Sequence, residues 1–182
     1  MTLNTKEKIA DAFLTQISTT SLSRITINDI IERAEISRST FYRLFHSISD
    51  LINFTDDYVD ASIFNNFTEL SIKYTSSQKW VEILATELAK NRDKLKIMYS
   101  SDLRAQWIDY LSKKYHSWLK QNIFATYHSK KVPEDMAIQL FTQSISSVVD
   151  YWITSPIPVS TETFQKQLLK LLQTSTLELT NL

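Results

Sequence analysis

The sequence contains no cysteine and no glycine, and it contains only three prolines. Without cysteine the chain forms no disulfide and has neither a thiolate nucleophile nor a sulfur-ligated metal site, which fits a cytoplasmic protein. Without glycine it lacks the phosphate-binding loop, the dinucleotide fingerprint and the nucleophile elbow, because each needs glycine at a sharp turn or beside a ligand. Tight hairpin turns also usually need glycine. The chain is therefore expected to consist of helices joined by short polar connections.

An excess of one charge and long apolar runs are missing as well. Twenty Lys and Arg residues balance twenty Asp and Glu residues, so the formal net charge is zero. A protein without net charge has no overall field that attracts nucleic acid, and any anion-binding surface must be local. No run of about eighteen apolar residues occurs, so no membrane span is expected. The N-terminus also lacks the apolar core of a signal peptide.

Apolar residues recur at helical spacing along most of the chain. Helices are predicted over residues 5–19, 27–34, 37–46, 48–73, 77–91, 93–100, 102–127, 133–154 and 161–179. The stretch from Thr26 to Asp29 has the spacing of a capping box, and Thr5 and Ser37 are placed to cap their helices. The pattern predicts an all-α fold, with a head of three short helices over residues 1–50 and a body of longer helices over residues 51–182.

The third predicted helix differs in charge from the rest of the chain. Residues 36–48 contain two arginines, one histidine and no acidic residue. Phe41, Leu44 and Phe45 lie on one side of this helix, and polar residues occupy the other side. The second helix of a helix-turn-helix unit needs this arrangement, because one side packs on the head while the other faces base edges and phosphates. We therefore interpret residues 37–46 as a recognition helix.

The stretch ITINDIIERAEISRSTFYRLFHSISDL resembles the DNA-binding head of the TetR (tetracycline-repressor-like) transcriptional regulators. The resemblance rests on the spacing of apolar positions, on the serine and threonine caps, and on the threonine–aromatic–tyrosine triplet that starts at Thr40. It implies a head that binds double-stranded DNA, with Thr26 and Ser37 donating to phosphates at helix starts. Arg38 and Ser39 would approach base edges. The full set of implied DNA contacts is Thr26, Ser37, Arg38, Ser39, Thr40, Tyr42, Arg43 and His46.

Two positions depart from the family pattern. The family usually has glycine in the turn before the recognition helix, where this chain has Glu35. A left-handed backbone at that position is unfavourable for a residue with a side chain. The family also favours a basic residue near position 48, where this chain has Ile48. Both departures predict a weaker or altered DNA affinity.

The last two predicted helices resemble the pair through which TetR regulators dimerise as a four-helix bundle. The resemblance implies a homodimer whose recognition helices enter successive major grooves about 34 Å apart and read a near-palindrome. The residues expected at the dimer seam are Phe141, Ile145, Val148, Val149, Trp152, Phe164, Leu168, Leu171, Leu172 and Ser175. Within the first of these helices, Gln143, Ser144, Ser146 and Ser147 either permit close helix approach at the seam or line a small polar cavity.

The body is rich in aromatic residues, and two interpretations of them stay open. Trp80, Tyr99, Trp107 and Tyr110 either line a pocket for a small-molecule effector, as the family resemblance implies, or fill the core. Aromatic residues on helices fill the core more often.

No catalytic or metal site is predicted. The histidines His46, His116 and His128 are widely separated in sequence, and the acidic pairs Asp56-Asp57 and Glu134-Asp135 are adjacent residues that do not converge on a helix. An enzyme is therefore disfavoured, and no cofactor is expected. The sequence favours a TetR-like repressor that binds a near-palindromic operator. The alternatives are an activator or partner-dependent regulator of the same fold, and a helical protein–protein interaction module.

Overall fold

The computed structural model describes residues 2–73, 77–122, 124 and 132–173, and these residues form helices and short connections without any strand. The described α-helices are α1 (Thr2–Ile17), α2 (Ile27–Arg33), α3 (Arg38–Leu44), α4 (Ile48–Lys73), α5 (Ser77–Lys90), α6 (Arg92–Ser100), α7 (Arg104–Asn122), α8 (Glu134–Thr154) and α9 (Thr161–Gln173). A 3₁₀ turn, Leu22–Arg24, lies between α1 and α2. The predicted all-α class is confirmed. None of the described helices is both long and apolar enough to cross a membrane.

Two predicted helix ends are wrong. Helix α1 begins at Thr2, so Thr5 lies inside the helix and does not cap it. Helix α7 ends at Asn122, and Phe124 lies outside the helix with its N–H donating to the Leu119 carbonyl at 2.9 Å. Such a bond across five residues is typical of a closed helix end. No glycine or proline marks this end in the sequence. The end predicted at residue 179 lies outside the described residues.

Helices α1 to α3 pack into the head around a small aromatic and aliphatic core. Its fully buried side chains include Ile9, Phe13, Ile30 and Phe41. The Phe45 ring lies 5.8 Å from Phe41 and 5.5 Å from Phe54 of α4, measured between ring centroids. The head core therefore continues into the first turns of α4. The predicted domain boundary at residue 50 falls within the first turn of that helix.

The body is built from the rest of α4 and from α5 to α9. Helix α5 packs between α4 and α9, and α8 packs on α6 and α7. The Arg92 side chain at the start of α6 donates from Nη2 to the Trp152 and Ile153 carbonyls, both at 2.8 Å. Its guanidinium also lies 5.3 Å from the Trp152 ring centroid. One cation thus satisfies carbonyls at the end of α8 that have no partner within the helix.

The head contacts the body through side chains as well as through α4. The Tyr58 hydroxyl of α4 donates to the Asp11 carboxylate of α1 and accepts a 2.6 Å hydrogen bond from Lys94 of α6. The Leu22 N–H in the head donates to Asp102 Oδ2, between α6 and α7, at 2.7 Å. Helix α6 is therefore bordered by head contacts at both of its ends.

Candidate functional site

Helix α2 begins with the predicted capping box, which the structure confirms. Thr26 Oγ1 accepts a hydrogen bond from the Asp29 N–H at 3.3 Å, and the Thr26 N–H donates to Asp29 Oδ2 at 2.8 Å. The Thr26 hydroxyl also donates to Asp29 Oδ2 at 2.6 Å. These hydrogen bonds from Thr26 lower the pKa of Asp29. To donate to a phosphate, the Thr26 hydroxyl would have to turn away from Asp29.

Helix α3 begins with a cluster of three hydroxyl groups. Ser37 Oγ accepts a hydrogen bond from the Thr40 N–H at 3.1 Å, which confirms the predicted cap. The Ser39 and Thr40 hydroxyl oxygens each lie 2.8 Å from Ser37 Oγ. The structure thus brings three of the predicted contact residues together at the start of the recognition helix.

The two sides of α3 differ as the sequence predicts. Phe41 and Phe45 are buried in the head and Leu44 is partly buried. Arg38, Ser39, Tyr42, Arg43 and His46 are all exposed. The Tyr42 ring meets Phe41 edge-on, with 5.6 Å between centroids, so the apolar side supports the exposed side. The eight residues predicted to contact DNA therefore lie at the starts of α2 and α3, on the exposed side of α3 and, for His46, just beyond its end.

The neighbour of Arg38 was not predicted from the sequence. Its Nη2 donates to Asn28 Oδ1 at 2.9 Å, so the first residue of α3 is held against the first turn of α2. Asn28 carries no distinctive sequence signal, because an exposed polar residue in a first helical turn is common.

Glu35, in the turn before α3, has a left-handed backbone with φ of 49°. Among the described residues it alone combines a positive φ with a side chain. Its carboxylate is exposed and lies 3.5 Å from Lys8 Nζ. The departure from glycine seen in the sequence therefore places a strained residue and an acidic group beside the recognition helix.

The residues predicted for the dimer seam differ in where the single chain places them. Val149, Trp152, Phe164 and Leu168 are at most 4% exposed and fill the core of the single chain. The Trp152 and Phe164 rings stack with centroids 4.0 Å apart, and Trp152 Nε1 donates to the Val159 carbonyl at 3.0 Å. Because these side chains pack within one chain, they are not available to a partner. Phe141 and Ile145 line a cavity between the body helices, Leu172 packs against the core, and Ser175 lies outside the described residues.

A different set of apolar residues is exposed on α8 and after it. Met136, Leu140 and Tyr151 lie on one side of α8 and are 52%, 50% and 80% exposed. Ile157 and Val159, which follow α8, are 89% and 41% exposed. Val148 and Leu171 line the adjoining groove between α8 and α9. Gln143, Ser144 and Ser147 are exposed on the same side of α8. We call this surface, Met136 to Tyr151 on α8 with Ile157, Val159 and Leu171, the α8–α9 face.

A partly open cavity of about 90 Å³ lies between helices α4 to α8. Three of the four residues predicted for an effector pocket, Trp80, Tyr99 and Trp107, line it. Tyr110 does not, because its ring stacks on Trp107 with centroids 5.6 Å apart and its hydroxyl donates to Asp57 at 2.6 Å. The cavity is otherwise lined mostly by leucine, aromatic and small side chains, among them Ser146.

A cluster of buried acids between α4 and α7 was not predicted from the sequence. Asp56 and Asp60 are 2% and 1% exposed. Asp56 Oδ2 accepts from Gln106 at 2.9 Å, and Asp60 receives Lys114 at 2.8 Å and the Tyr115 hydroxyl at 2.7 Å. Burial raises the pKa of Asp56 to about 6, against the effect of the Gln106 hydrogen bond. Burial also raises the pKa of Asp60, against the effects of Lys114 and Tyr115.

The histidines do not meet in the described part of the chain. His46 is exposed at the end of α3, His116 Nε2 lies 3.3 Å from Asp135, and His128 is outside the described residues. The described residues contain no group of three or more His, Cys, Asp or Glu side chains placed to hold a metal ion.

Comparison with known proteins gives the family. A family model described as the C-terminal region of TetR-type transcriptional regulators matches residues 75–174, which is more than half of the chain. No curated protein sequence matches significantly.

Solved structures share the fold over nearly the whole chain. A TetR transcriptional regulator from Streptococcus agalactiae 2603V is 20% identical, with a TM-score of 0.66 over 93% of this chain and 94% of that one. A protein assigned to the same family from Syntrophomonas wolfei is 16% identical, with a TM-score of 0.72 over 95% of each chain. The dihydroxyacetone kinase operon activator DhaS is 20% identical, with a TM-score of 0.60 over 93% of this chain and 94% of that one.

The architecture is that of a helix-turn-helix transcriptional regulator, with a three-helix head and a helical body. The family model and the shared fold together identify the chain as a member of the TetR family of transcriptional regulators. The resemblance noted in the sequence of the head is thereby confirmed.

Proposed function

We propose that the protein is a cytoplasmic, homodimeric repressor that binds a near-palindromic operator through α3 and is released from DNA by a small-molecule effector. The observation that carries the proposal is the two-sided character of α3. Phe41 and Phe45 anchor the helix in the head, while Arg38, Tyr42 and Arg43 are exposed. A basic, exposed helix on a neutral chain only needs to act within a Debye length of phosphate, which is about 8 Å in physiological salt.

The α8–α9 face supports the dimer. Exposed apolar residues on a single chain are normal when scattered, but a contiguous group of them usually marks an interaction surface. Here Met136, Leu140 and Tyr151 follow one side of α8 for four turns, and Ile157 extends the surface beyond the helix. A second copy related by a two-fold axis would cover the same surface on both chains.

Effector control is supported by the position of α6. Leu95 and Tyr99 of this helix line the cavity, while Lys94 contacts Tyr58 and Asp11 outside it. A molecule that binds better to one arrangement of α6 would shift the balance between two placements of the head, and it can do so only through that difference in affinity.

DNA binding by the purified protein tests the proposal. Affinity for the DNA upstream of its own gene should fall steeply with salt, with a log–log slope of about −0.9 for each phosphate neutralised. The Arg38→Ala variant should lose about 1–3 kcal/mol of discrimination between the best site and its mismatches. The Thr26→Ala variant should weaken binding to all sites alike, because phosphate contacts carry no sequence information.

A charge-matched pair of double variants provides the control. Arg38→Ala with Arg43→Ala removes two positive charges from α3, whereas Lys96→Ala with Lys113→Ala removes two exposed ones from the body. Only the first pair should abolish specific binding. The proposal is wrong if the wild-type protein binds no better than the Arg38/Arg43 double variant.

Activation is the second candidate function. One protein of the same fold is named as an operon activator, so the fold is compatible with either sign of regulation. A transcriptional reporter joined to the bound DNA distinguishes the two. Deleting the regulator should raise expression if it represses, and lower expression if it activates.

A further inference from the structure

We propose that Asn28, in the first turn of α2, is a positioning residue for DNA recognition, because its side-chain oxygen fixes the direction in which Arg38 presents its guanidinium group to a base edge. The inference rests on the proposed binding of DNA through α3. It goes beyond that function, since it assigns to a residue of α2 an effect on the choice of operator that is exerted through Arg38 and not through a DNA contact of its own.

Asn28 and Arg38 are ten residues apart in the chain and meet at the starts of α2 and α3. Arg38 Nη2 donates to Asn28 Oδ1 at 2.9 Å, and both side chains are exposed. A guanidinium group only donates, so the amide must turn its oxygen, and not its nitrogen, toward Arg38. Arg38 is the first residue of α3 and Asn28 the second residue of α2. The contact therefore joins the two helices of the helix-turn-helix unit at their first turns.

The charge of Arg38 does not stabilise α3. The N-terminus of a helix is the positive end of its dipole, which disfavours a cation in the first turn. The first turn of α3 contains no acidic residue that would offset this effect. The stability of the head therefore gives no reason for an arginine at this position, whereas an interaction with DNA does.

The chemical nature of its partner leaves the charge of Arg38 available to DNA. In the body, Arg104 pairs with the Asp150 carboxylate at 2.8 Å, and two opposite charges cancel. Arg38 is held instead by a neutral amide oxygen. A carboxylate in the place of Asn28 would bind the guanidinium more strongly, but it would also repel the phosphates of the DNA backbone.

A guanidinium group bound by Asn28 can still read guanine. Its five N–H donors lie in one plane and form two edges, each with a parallel pair of donors. Nη2 contributes one hydrogen to each edge, so a bond through one of these hydrogens leaves the pair on the other edge intact. Such a pair matches the O6 and N7 acceptors of guanine in the major groove.

Holding Arg38 in one direction improves discrimination between bases in two ways. The side chain loses less conformational freedom when it binds the correct base, which is worth about two- to tenfold in affinity. At a wrong base pair, the held guanidinium cannot turn to a phosphate instead, so the lost base contact is not replaced. Removal of the Asn28 oxygen should therefore lower the preference for the correct base.

Selection of binding sites from random DNA with the full-length protein tests the inference. The Arg38→Ala variant identifies the base pair that Arg38 reads. At that base pair, Asn28→Ala should lower the preference for the correct base by about two- to tenfold and leave the preferences at other positions unchanged. Urea denaturation should show no loss of stability, because alanine favours the helix and Thr26 still caps α2.

Three further variants distinguish positioning from other roles. Gln16→Ala is the matched control, since it removes another amide oxygen of the head, one that accepts from Arg33 Nε at 3.0 Å, and it should leave the preference unchanged. Asn28→Asp keeps an acceptor in the same place, so it should retain the preference while lowering the affinity for all sites. The double variant Asn28→Ala with Arg38→Ala should bind every site as Arg38→Ala alone does, because Asn28 acts only through Arg38.

Four results would overturn the inference and leave the proposed function standing. They are an unchanged preference in Asn28→Ala, an equal loss of preference in Asn28→Asp, an Arg38→Ala variant that keeps all base preferences, and a double variant that binds more weakly than Arg38→Ala. The last result would show that Asn28 contacts DNA itself. Absence of sequence-specific binding by the wild type would overturn the inference and the proposed function together.

Discussion

Glu35 holds a left-handed backbone, with φ of 49°, that favours glycine. We expect Glu35→Gly to raise the free energy of unfolding by about 0.5–1 kcal/mol, because the strain at a side-chain-bearing residue exceeds the extra entropy that glycine gives the unfolded chain. Urea denaturation followed by circular dichroism measures the change. Glu35→Ala is the control, since it also removes the exposed contact with Lys8 but keeps a Cβ atom, and it should alter stability by less than about 0.5 kcal/mol. If Glu35→Ala were also more stable than the wild type, the destabilisation would come from the Glu35 charge and not from its left-handed backbone.

Asp56 makes stability depend on pH in a direction opposite to that of most carboxylates. Its folded pKa of about 6 lies above the ordinary value of 3.8, so the folded protein binds more protons than the unfolded chain between these values. The free energy of unfolding should therefore fall as pH rises from about 4 to 6, and the penalty should be fully present above pH 6. Asp56→Asn should stabilise the protein at pH 7 by about 1–2 kcal/mol, less than the roughly 3 kcal/mol of the whole shift because nearby groups relax.

Denaturation at pH 5 and pH 7 checks the role of Asp56. The variant should show a shallower dependence on pH than the wild type, although Asp60, whose pKa burial also raises, keeps part of it. Asp109→Asn removes an equal charge from an exposed position that, among the described residues, pairs only with Lys113, and it should leave the pH dependence unchanged. A variant of Asp56 that is less stable at pH 7 would contradict the expectation.

Among single residues, the helix caps could be predicted from the sequence, but hydrogen-bond partners distant in the chain could not. The caps formed by Thr26 and Ser37 were predictable because each bond spans three residues, within the reach of a sequence pattern. The partner of Tyr110 was not, because Asp57 is 53 residues away in the chain and only the packing of α7 on α4 brings the two together. The same holds for the buried acids, which look like exposed residues of a helix in the sequence.

At the scale of elements, Tyr58 connects three helices through one hydroxyl group. It donates to Asp11 of α1 at 3.1 Å and accepts from Lys94 of α6 at 2.6 Å. Burial lowers the pKa of Lys94, but the Tyr58 hydrogen bond and the Asp11 charge outweigh it and the pKa is raised. We expect Tyr58→Phe to lower the free energy of unfolding by about 1 kcal/mol, because the hydrogen bonds are lost while the ring keeps its packing.

The Tyr58→Phe change should weaken the contact between head and body as well as lower the overall stability. Amide hydrogen exchange should become faster in α1 and α6 of the Tyr58→Phe variant, at positions that contact each other. Tyr42→Phe is the matched control, because the Tyr42 hydroxyl makes no hydrogen bond within the described chain, and neither measurement should change. Unaltered exchange in α6 of the Tyr58 variant would show that this contact does not couple the two parts.

Apolar periodicity located α8 and α9 but did not show which side of them faces a partner. A buried position within one chain and a buried position between two chains give the same pattern. Trp152 and Phe164 stack on each other inside the protomer, although both belong to the seam predicted from the sequence. The exposed stripe contains Leu140 and Tyr151 among serine and glutamine residues, for which the sequence leaves open either close helix approach at the seam or a small polar cavity.

For the whole molecule, we expect a dimer through the α8–α9 face. Light scattering after size exclusion should give twice the chain mass for the wild type at micromolar concentration. The double variant Leu140→Glu with Tyr151→Glu should be a monomer, because it places four carboxylates in a symmetric apolar contact. Its affinity for a near-palindromic operator should fall by at least about tenfold, since two linked heads bind far more tightly than one.

A matched pair of changes on α7 controls for added charge in this experiment. Ala105→Glu with Gln121→Glu also adds two carboxylates at exposed positions of α7. This protein should stay dimeric and bind the operator as the wild type does. A wild-type monomer at micromolar concentration would contradict the dimer, whatever the variants do.

The contact of Arg92 with the end of α8 limits where the fold tolerates inserted residues. One residue inserted within α8 would rotate everything after it by about 100°. The carbonyls of Trp152 and Ile153 would then leave Arg92, and Tyr151 would leave its side of the helix. Residues added at the exposed positions 156–158 would disturb neither, because they follow the last carbonyl that Arg92 binds. Natural length variation among close relatives is therefore expected between α8 and α9, and α8 itself is expected to keep a constant number of residues.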